Sequence, residues 1–247
     1  MKAAAEAQRR LLDLQAVDTT IAQLHHRRRQ LPEHQQIAQA QTQRAALGER
    51  LTATKTMVSD LEQELTKAEA DLVPVRERRA RDEQRVGDGS ISDGKQLKAL
   101  LDEIDHLGRR TSDLEDVQLD IMERLEARQA ELAELTARRA SGDDELRGLM
   151  AARDRQLAVL DAELAEASAE RSLIADALPA DLLAAYTRTA ERSGGTGAAL
   201  LKGGRCGGCQ LQLNTGDLNR HRAAAEDEVL RCEECNRILV RTAESGL

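Results

Sequence analysis

Apolar residues recur in one heptad frame from Leu97 to Leu149, and no compact globular fold accommodates so long a run. Leu97, Leu100, Ile104, Leu107, Leu114, Ile121, Leu125, Leu132, Leu135, Leu146 and Leu149 all fall in it, with Thr111, Gln118, Arg128, Arg139 and Gly142 as weaker members. Steps of four residues, from 149 through 153 to 157, then shift the frame before Leu157, Leu160, Leu164, Ile174 and Leu178 resume it, a slip expected to unwind a supercoil locally. Upstream, Leu14, Val17, Ile21, Leu24 and Leu31 keep the same 3-4 spacing. It resumes through Leu47, Leu51, Val58, Leu61, Leu65, Leu72 and Val75. The chain has no Phe, no Trp and one Tyr, so the material for a broad globular core is missing, while Ala, Leu, Glu, Arg and Gln suit long helices.

Between the two periodic runs, Gly87 to Gly94 places three glycines in one short stretch. Arms from Ala4 to Val86 and from Lys95 to Ala177 would be equal in length, which points to an antiparallel hairpin whose tip lies near 87–94. At about 1.5 Å per residue each arm would reach roughly 120 Å. Residues symmetric about the tip would then lie side by side, setting Pro32 opposite Gly148 and Pro74 opposite Gly108. Bends are expected at both levels, because proline removes a helical hydrogen bond and glycine loosens its neighbour.

All four cysteines stand near the C-terminal end as Cys206-Gly-Gly-Cys209 and Cys232-Glu-Glu-Cys235. Two Cys-x-x-Cys turns complete the closed four-sulfur shell of a structural Zn²⁺, leaving no position for a reactive water. One zinc, held by Cys206, Cys209, Cys232 and Cys235, is therefore expected to fold a module and to catalyse nothing. Disulfides would need an oxidising compartment, but the sequence opens MKAAAEAQRR without a signal-type apolar segment and has no membrane-length apolar run, so a cytoplasmic location is expected. Short strands are expected at 200–201, 211–213, 228–230 and 238–240, with a helical turn within 215–225. Pro179 near the start of a short helix and the loop Ser193 to Gly197 lead into this unit. The organisation read from the sequence is mainly α: a long antiparallel coiled-coil helical hairpin over 1–178, a short helix and linker over 179–197, and a small C-terminal β zinc ribbon over 198–247.

The formal charge of −8 argues against a general nucleic-acid binder. A narrower nucleic-acid reading would use ribbon loops around Arg205, Arg220, Arg222 and Arg237. The runs His25 to Arg29 and Arg76 to Arg81 offer phosphate-contacting patches or, more simply, charged outer faces of a coiled coil. No serine or cysteine nucleophile sits in a recognisable motif, and a two-helix hairpin offers no closed pocket, so Asp105-His106 and His34 are not read as catalytic. Leu101, Leu119 and Met122 fall outside the heptad frame, as partner contacts or as a widened seam. Asp88 and Asp93 at the tip suit an ordinary turn or an acidic tip of the kind that enters an RNA polymerase channel.

The chain resembles the bacterial C4-type zinc ribbon family, in which an N-terminal coiled-coil hairpin precedes a four-cysteine ribbon. The resemblance is carried by Leu97-Lys-Ala-Leu-Leu-Asp-Glu-Ile104, Asp113-Leu-Glu-Asp116, Gly197 through Cys209, and Cys232-Glu-Glu-Cys-Asn-Arg-Ile-Leu239. It implies a non-enzymatic adaptor. Some members of that family bind an RpoN-type sigma factor or secretion-system components, and a flagellar member is linked to flagellin messenger RNA. The partner it implies is thus a protein of transcription or secretion, with nucleic acid as the alternative. Where an aromatic residue often ends the family's last strand, this chain has Val240, and its ribbon has no aromatic platform for a base.

Overall fold

The computed structural model describes residues 1–247. Five helices and four strands follow in the order α1 (Ala5–Arg29), α2 (Pro32–Gly87), α3 (Gly94–Asp176), α4 (Ala180–Arg192), β1 (Ala198–Lys202), β2 (Arg205–Cys206), α5 (Thr215–Ala223), β3 (Leu230–Arg231) and β4 (Ile238–Val240). The class is mainly α, a long helical hairpin followed by a small strand region that carries the four cysteines. The chain forms two compact units, Gln36–Leu149 and, together, Met1–Gln35 with Met150–Leu247.

In the unit Gln36–Leu149, the α2 and α3 segments run antiparallel about the connection 88–93. Periodicity decided which faces meet: of the α3 frame members, Leu107, Thr111, Ile121 and Leu135 are buried, the others are half-buried, and Arg128 alone is exposed. On α2, Thr54, Val58, Leu61, Ala68, Leu72 and Asp82 are buried at the matching 3-4 spacing. Leu101, Leu119 and Met122 stay about half exposed, so they do not widen the seam. Ion pairs flank it, among them Arg44–Asp143 at 2.6 Å, Arg76–Glu115 at 2.6 Å and Arg78–Glu103 at 2.8 Å. Arg44 donates to Asp143 and holds its carboxyl below the ordinary range.

A side chain at Gly108 would meet the Arg79 guanidinium, which reaches across from α2. Pro74 stays inside an uninterrupted α2, with its exposed position leaving the freed Ala70 carbonyl open to water. Helix α3 likewise runs through Gly108 and Gly148. Only Pro32 marks a break. Helix α1 ends at Arg29, Gln30 donates to the His26 and Arg27 carbonyls, and α2 restarts with Pro32 in its first turn, where the missing N–H costs nothing.

In the other unit, α1, the end of α3 and α4 share a core made by Leu11, Leu14, Leu178, Leu182 and Tyr186 with Ala198, Ile238 and Val240 of the sheet. Further along α1, Val17 and Leu24 pack with Leu160, Leu164 and Ala167. The sheet order is β2-β1-β4-β3, with β1 and β4 parallel and both outer pairings antiparallel. Strand alternation divides its side chains between two cores: Ile238 and Val240 face the helices, while Ala199, Leu201 and Leu239 join Cys206, Cys232 and Leu213. Val240 is fully buried against the helices, so no aromatic is called for at that place.

Candidate metal centre and its docking to the helices

Each Cys-x-x-Cys forms a tight turn of the same design. Gln210 N donates to Cys206 O and Asn236 N to Cys232 O, both at 2.8 Å, while Cys206 N and Cys232 N donate to Leu211 O and Arg237 O at 3.0 Å. The residue after each second cysteine must turn left-handed, and Gln210 (φ 64°) and Asn236 (φ 59°) do so. Asn is at ease there; Gln210 is less so, and its side chain ties down the turn by donating to Gly207 O at 2.7 Å. Gly207 allows β1 to approach, since a Cβ there would meet Leu200 O at 2.9 Å. A Cβ on Gly208 would collide with the Arg237 side chain.

These turns bring all four sulfurs within 4.8 Å of one another. Cys206 Sγ lies 3.8 Å from Cys235 Sγ, and Cys209 Sγ lies 3.8 Å from Cys232 Sγ. A tetrahedral ion with Zn–S bonds of about 2.3 Å requires sulfur separations of about 3.8 Å, so the residues fit one structural zinc. Without the ion's charge, burial pushes the Cys206 thiol up and the Cys232 thiol to about 12. At Cys235 burial also disfavours the thiolate, but the backbone N–H and side chain of Arg237, with the Cys232 and Cys209 thiols, outweigh it and bring the value to about 7. The first cysteine of each pair thus resists ionisation, and a divalent cation is what makes four thiolates tolerable there.

The four arginines read as nucleic-acid contacts meet different fates. Arg220 is held by Asp217 and Glu233, each at 2.6 Å. Arg237 donates to Thr196 O and Ser193 O, fixing the loop between α4 and β1. Arg205 reaches only Gln210 O and Arg222 only Asn219 Oδ1. Both basic runs on the hairpin are largely neutralised: Arg27 and Arg28 pair with Glu163 and Asp161, and Arg76, Arg78, Arg79 and Arg81 with Glu115, Glu103, Glu83 and Glu77. At the tip, Asp93 Oδ1 accepts Lys95 N and Asp93 O accepts Leu97 N, so this carboxylate starts α3.

Sequence reading missed the residues that fasten the ribbon to the helices. Gln15 Oε1, on α1, accepts Gly197 N at 2.7 Å and the Tyr186 hydroxyl at 3.2 Å. The same hydroxyl donates to Asp18 Oδ2 at 2.7 Å, and Asp18 Oδ1 accepts Arg171 Nε at 2.6 Å. Burial first, then the Asp18 carboxylate, push the Tyr186 phenol far above its ordinary value, so it remains a donor. Gly197 has no room for a side chain: a Cβ would lie 2.6 Å from Tyr186 O. The N-terminal residues add a backbone clasp, Ala3 N donating to Asp227 O and Val229 N to Met1 O, with the Gln8 amide donating to Ala3 O and Glu226 O. Arg241 gathers the carbonyls of Ala224, Ala225, Glu226 and Glu228. Gln15, Asp18 and Arg171 look like ordinary polar helix residues in the sequence; only the lone Tyr and the glycine-rich loop hinted that something specific happened there.

Residues 14–194 match the model of the CT398-like coiled coil hairpin domain, and residues 205–239 match the C4-type zinc ribbon domain; neither is an enzyme family. An uncharacterized protein of Mycobacterium tuberculosis is 37% identical over 98% of both chains. A solved structure from Mycobacterium smegmatis is 34% identical and superposes with a TM-score of 0.83 over 98% of this chain and 100% of its own. The structure of CT398 from Chlamydia trachomatis, 16% identical, has a TM-score of 0.68 over 95% of this chain and 97% of its own, a likeness of fold. No helix of the chain is long and apolar enough to cross a membrane.

Proposed function

Because the chain belongs to the CT398-like coiled-coil hairpin family and carries its C4-type zinc ribbon, we propose that it is a cytoplasmic, non-enzymatic adaptor that binds a partner protein through its hairpin and ribbon surfaces. The observation that supports this reading most is the fastening of the ribbon to α1, α3 and α4 through Gln15, Asp18, Tyr186 and the N-terminal clasp. A closed four-thiolate shell offers a substrate no open coordination position. What the zinc does instead is hold loops in place on a sheet whose other face is packed on helices, so a partner meets a pre-formed surface. The partner class carried by the family resemblance is a component of transcription or secretion.

A nucleic-acid regulator remains the second reading, supported by Arg205 and Arg222, which have no carboxylate partner. Against it stand the neutralised Arg220 and the single aromatic, Tyr186, which is fully buried and unable to stack on a base. A pull-down from source-cell lysate, with and without nuclease, tests the two readings, with intact protein run beside Cys232→Ser/Cys235→Ser. Recovery of one defined protein that survives nuclease and needs the cysteines supports the adaptor. Recovery of RNA or DNA, with nothing left after nuclease, refutes it.

A further inference from the structure

Most guanidinium groups at the surface of this protein already hold a carboxylate, as Arg27, Arg44, Arg76, Arg78 and Arg220 do at 3.4 Å or less. Three that do not are gathered around one concavity. Arg188 and Arg192 stand one turn apart on α4, both exposed. Arg231 approaches from β3, donating to Thr189 Oγ1 at 3.3 Å and to Asn236 O at 3.0 Å. With Thr189, Ser193 and Asn236 they line a cavity of about 360 Å³ whose wall also includes the zinc ligand Cys235; no Asp or Glu contributes to it. A second basic cavity, between Arg9, Arg222 and Arg241, differs in having Glu226 in its wall. Like charges four residues apart on a helix oppose its stability, so Arg188 and Arg192 are arranged at a cost that an incoming anion would relieve. Guanidinium forks and hydroxyls around a concavity are the donor set that binds oxyanions in paired hydrogen bonds.

We propose that this cavity between α4 and the ribbon is a docking site for a carboxylate-bearing segment, rich in Asp or Glu, of a partner protein. The proposal rests on the adaptor reading and adds the chemistry that the partner must present. Three guanidiniums outweigh the one thiolate, Cys235, in the wall and make the cavity complementary to carboxylates, and its walls come from α4 and the ribbon, which are fixed to each other by Arg237 and by the Gly197 packing. Nucleic acid is the weaker occupant, since no aromatic side chain is exposed for stacking and the chain as a whole is acidic.

The test uses the full zinc-loaded protein and a fluorescein-labelled hexaglutamate peptide, followed by anisotropy at low salt, with a labelled hexauridylate measured in parallel. The variants are Arg188→Gln/Arg192→Gln, on exposed positions that leave the core untouched, and Arg9→Gln/Arg222→Gln as a charge-matched control. Hexaglutamate is expected to bind, to weaken as salt rises, and to lose about tenfold or more in affinity in the first variant but not the control, with zinc content unchanged in both. Equal losses in both variants, no binding of hexaglutamate, or hexauridylate binding that depends on Arg188 and Arg192 in its place would each overturn the proposal. So would loss of zinc from Arg188→Gln/Arg192→Gln, which would make these arginines counter-charges to the thiolates. A lysate partner captured equally by wild type and Arg188→Gln/Arg192→Gln would remove this site while leaving the adaptor reading standing.

Discussion

Removing the Gln15 side chain should loosen the ribbon without touching a cysteine. Gln15 Oε1 is the acceptor for Gly197 N at 2.7 Å, and Ala198 N lies at a marginal 3.4 Å. In Gln15→Ala, the Tyr186 hydroxyl keeps Asp18, but the Gly197 N–H, on a buried residue, loses its partner. An unsatisfied buried donor costs about 1–3 kcal/mol, and the Gly195 carbonyl, which accepts from Gln15 Nε2 at an exposed position, adds little. A loss of about 2 kcal/mol corresponds to a fall in Tm of roughly 4–8 °C for a domain of this size. Gln23→Ala, on an exposed position of the same helix, controls for helix propensity and should stay within about 0.5 kcal/mol. Thermal unfolding of both variants, with zinc content measured, provides the comparison, and hydrogen exchange should quicken in β1 while Gln36–Leu149 is unchanged. A Tm within 1 °C of wild type for Gln15→Ala, or zinc lost at the same rate as from a cysteine variant, would refute the idea that this amide fastens the ribbon.

Zinc uptake should release protons at neutral pH, because Cys206 and Cys232 are held protonated in the metal-free protein, and affinity should therefore rise with pH; calorimetry in buffers of different ionisation enthalpy gives the proton count. Gly197→Ala should lower stability by about 1–3 kcal/mol through the collision with Tyr186, seen as a lower Tm. Gly148→Ala should raise it by about 0.5–1 kcal/mol in denaturant titrations, since that position is helical and open. Leu135→Ala, at a site 2% exposed, should cost about 2–5 kcal/mol.

Helical arms, their inward faces and the glycine-rich turn were all legible in the chain, because heptad spacing is a local property that fixes which side of a helix is apolar. The four sulfurs were legible for a similar reason: Cys-x-x-Cys spacing alone lets two thiolates meet. Contacts between the arms were not. They depend on how the packed helices direct their long side chains, as where the Arg79 guanidinium comes to lie beside Gly108. Nor could sequence sort the arginines, since Arg220 and Arg188 look alike until a carboxylate is found beside one and not the other. The sequence by itself determined a long helical hairpin and a metal-ligand set. Tertiary structure alone decided that Gln15 would meet Gly197, that Asp18 would meet Tyr186 and Arg171, and that Met1 and Ala3 would clasp Val229 and Asp227. Those contacts join residues more than 150 positions apart, and only packing in three dimensions brings such partners within hydrogen-bond range.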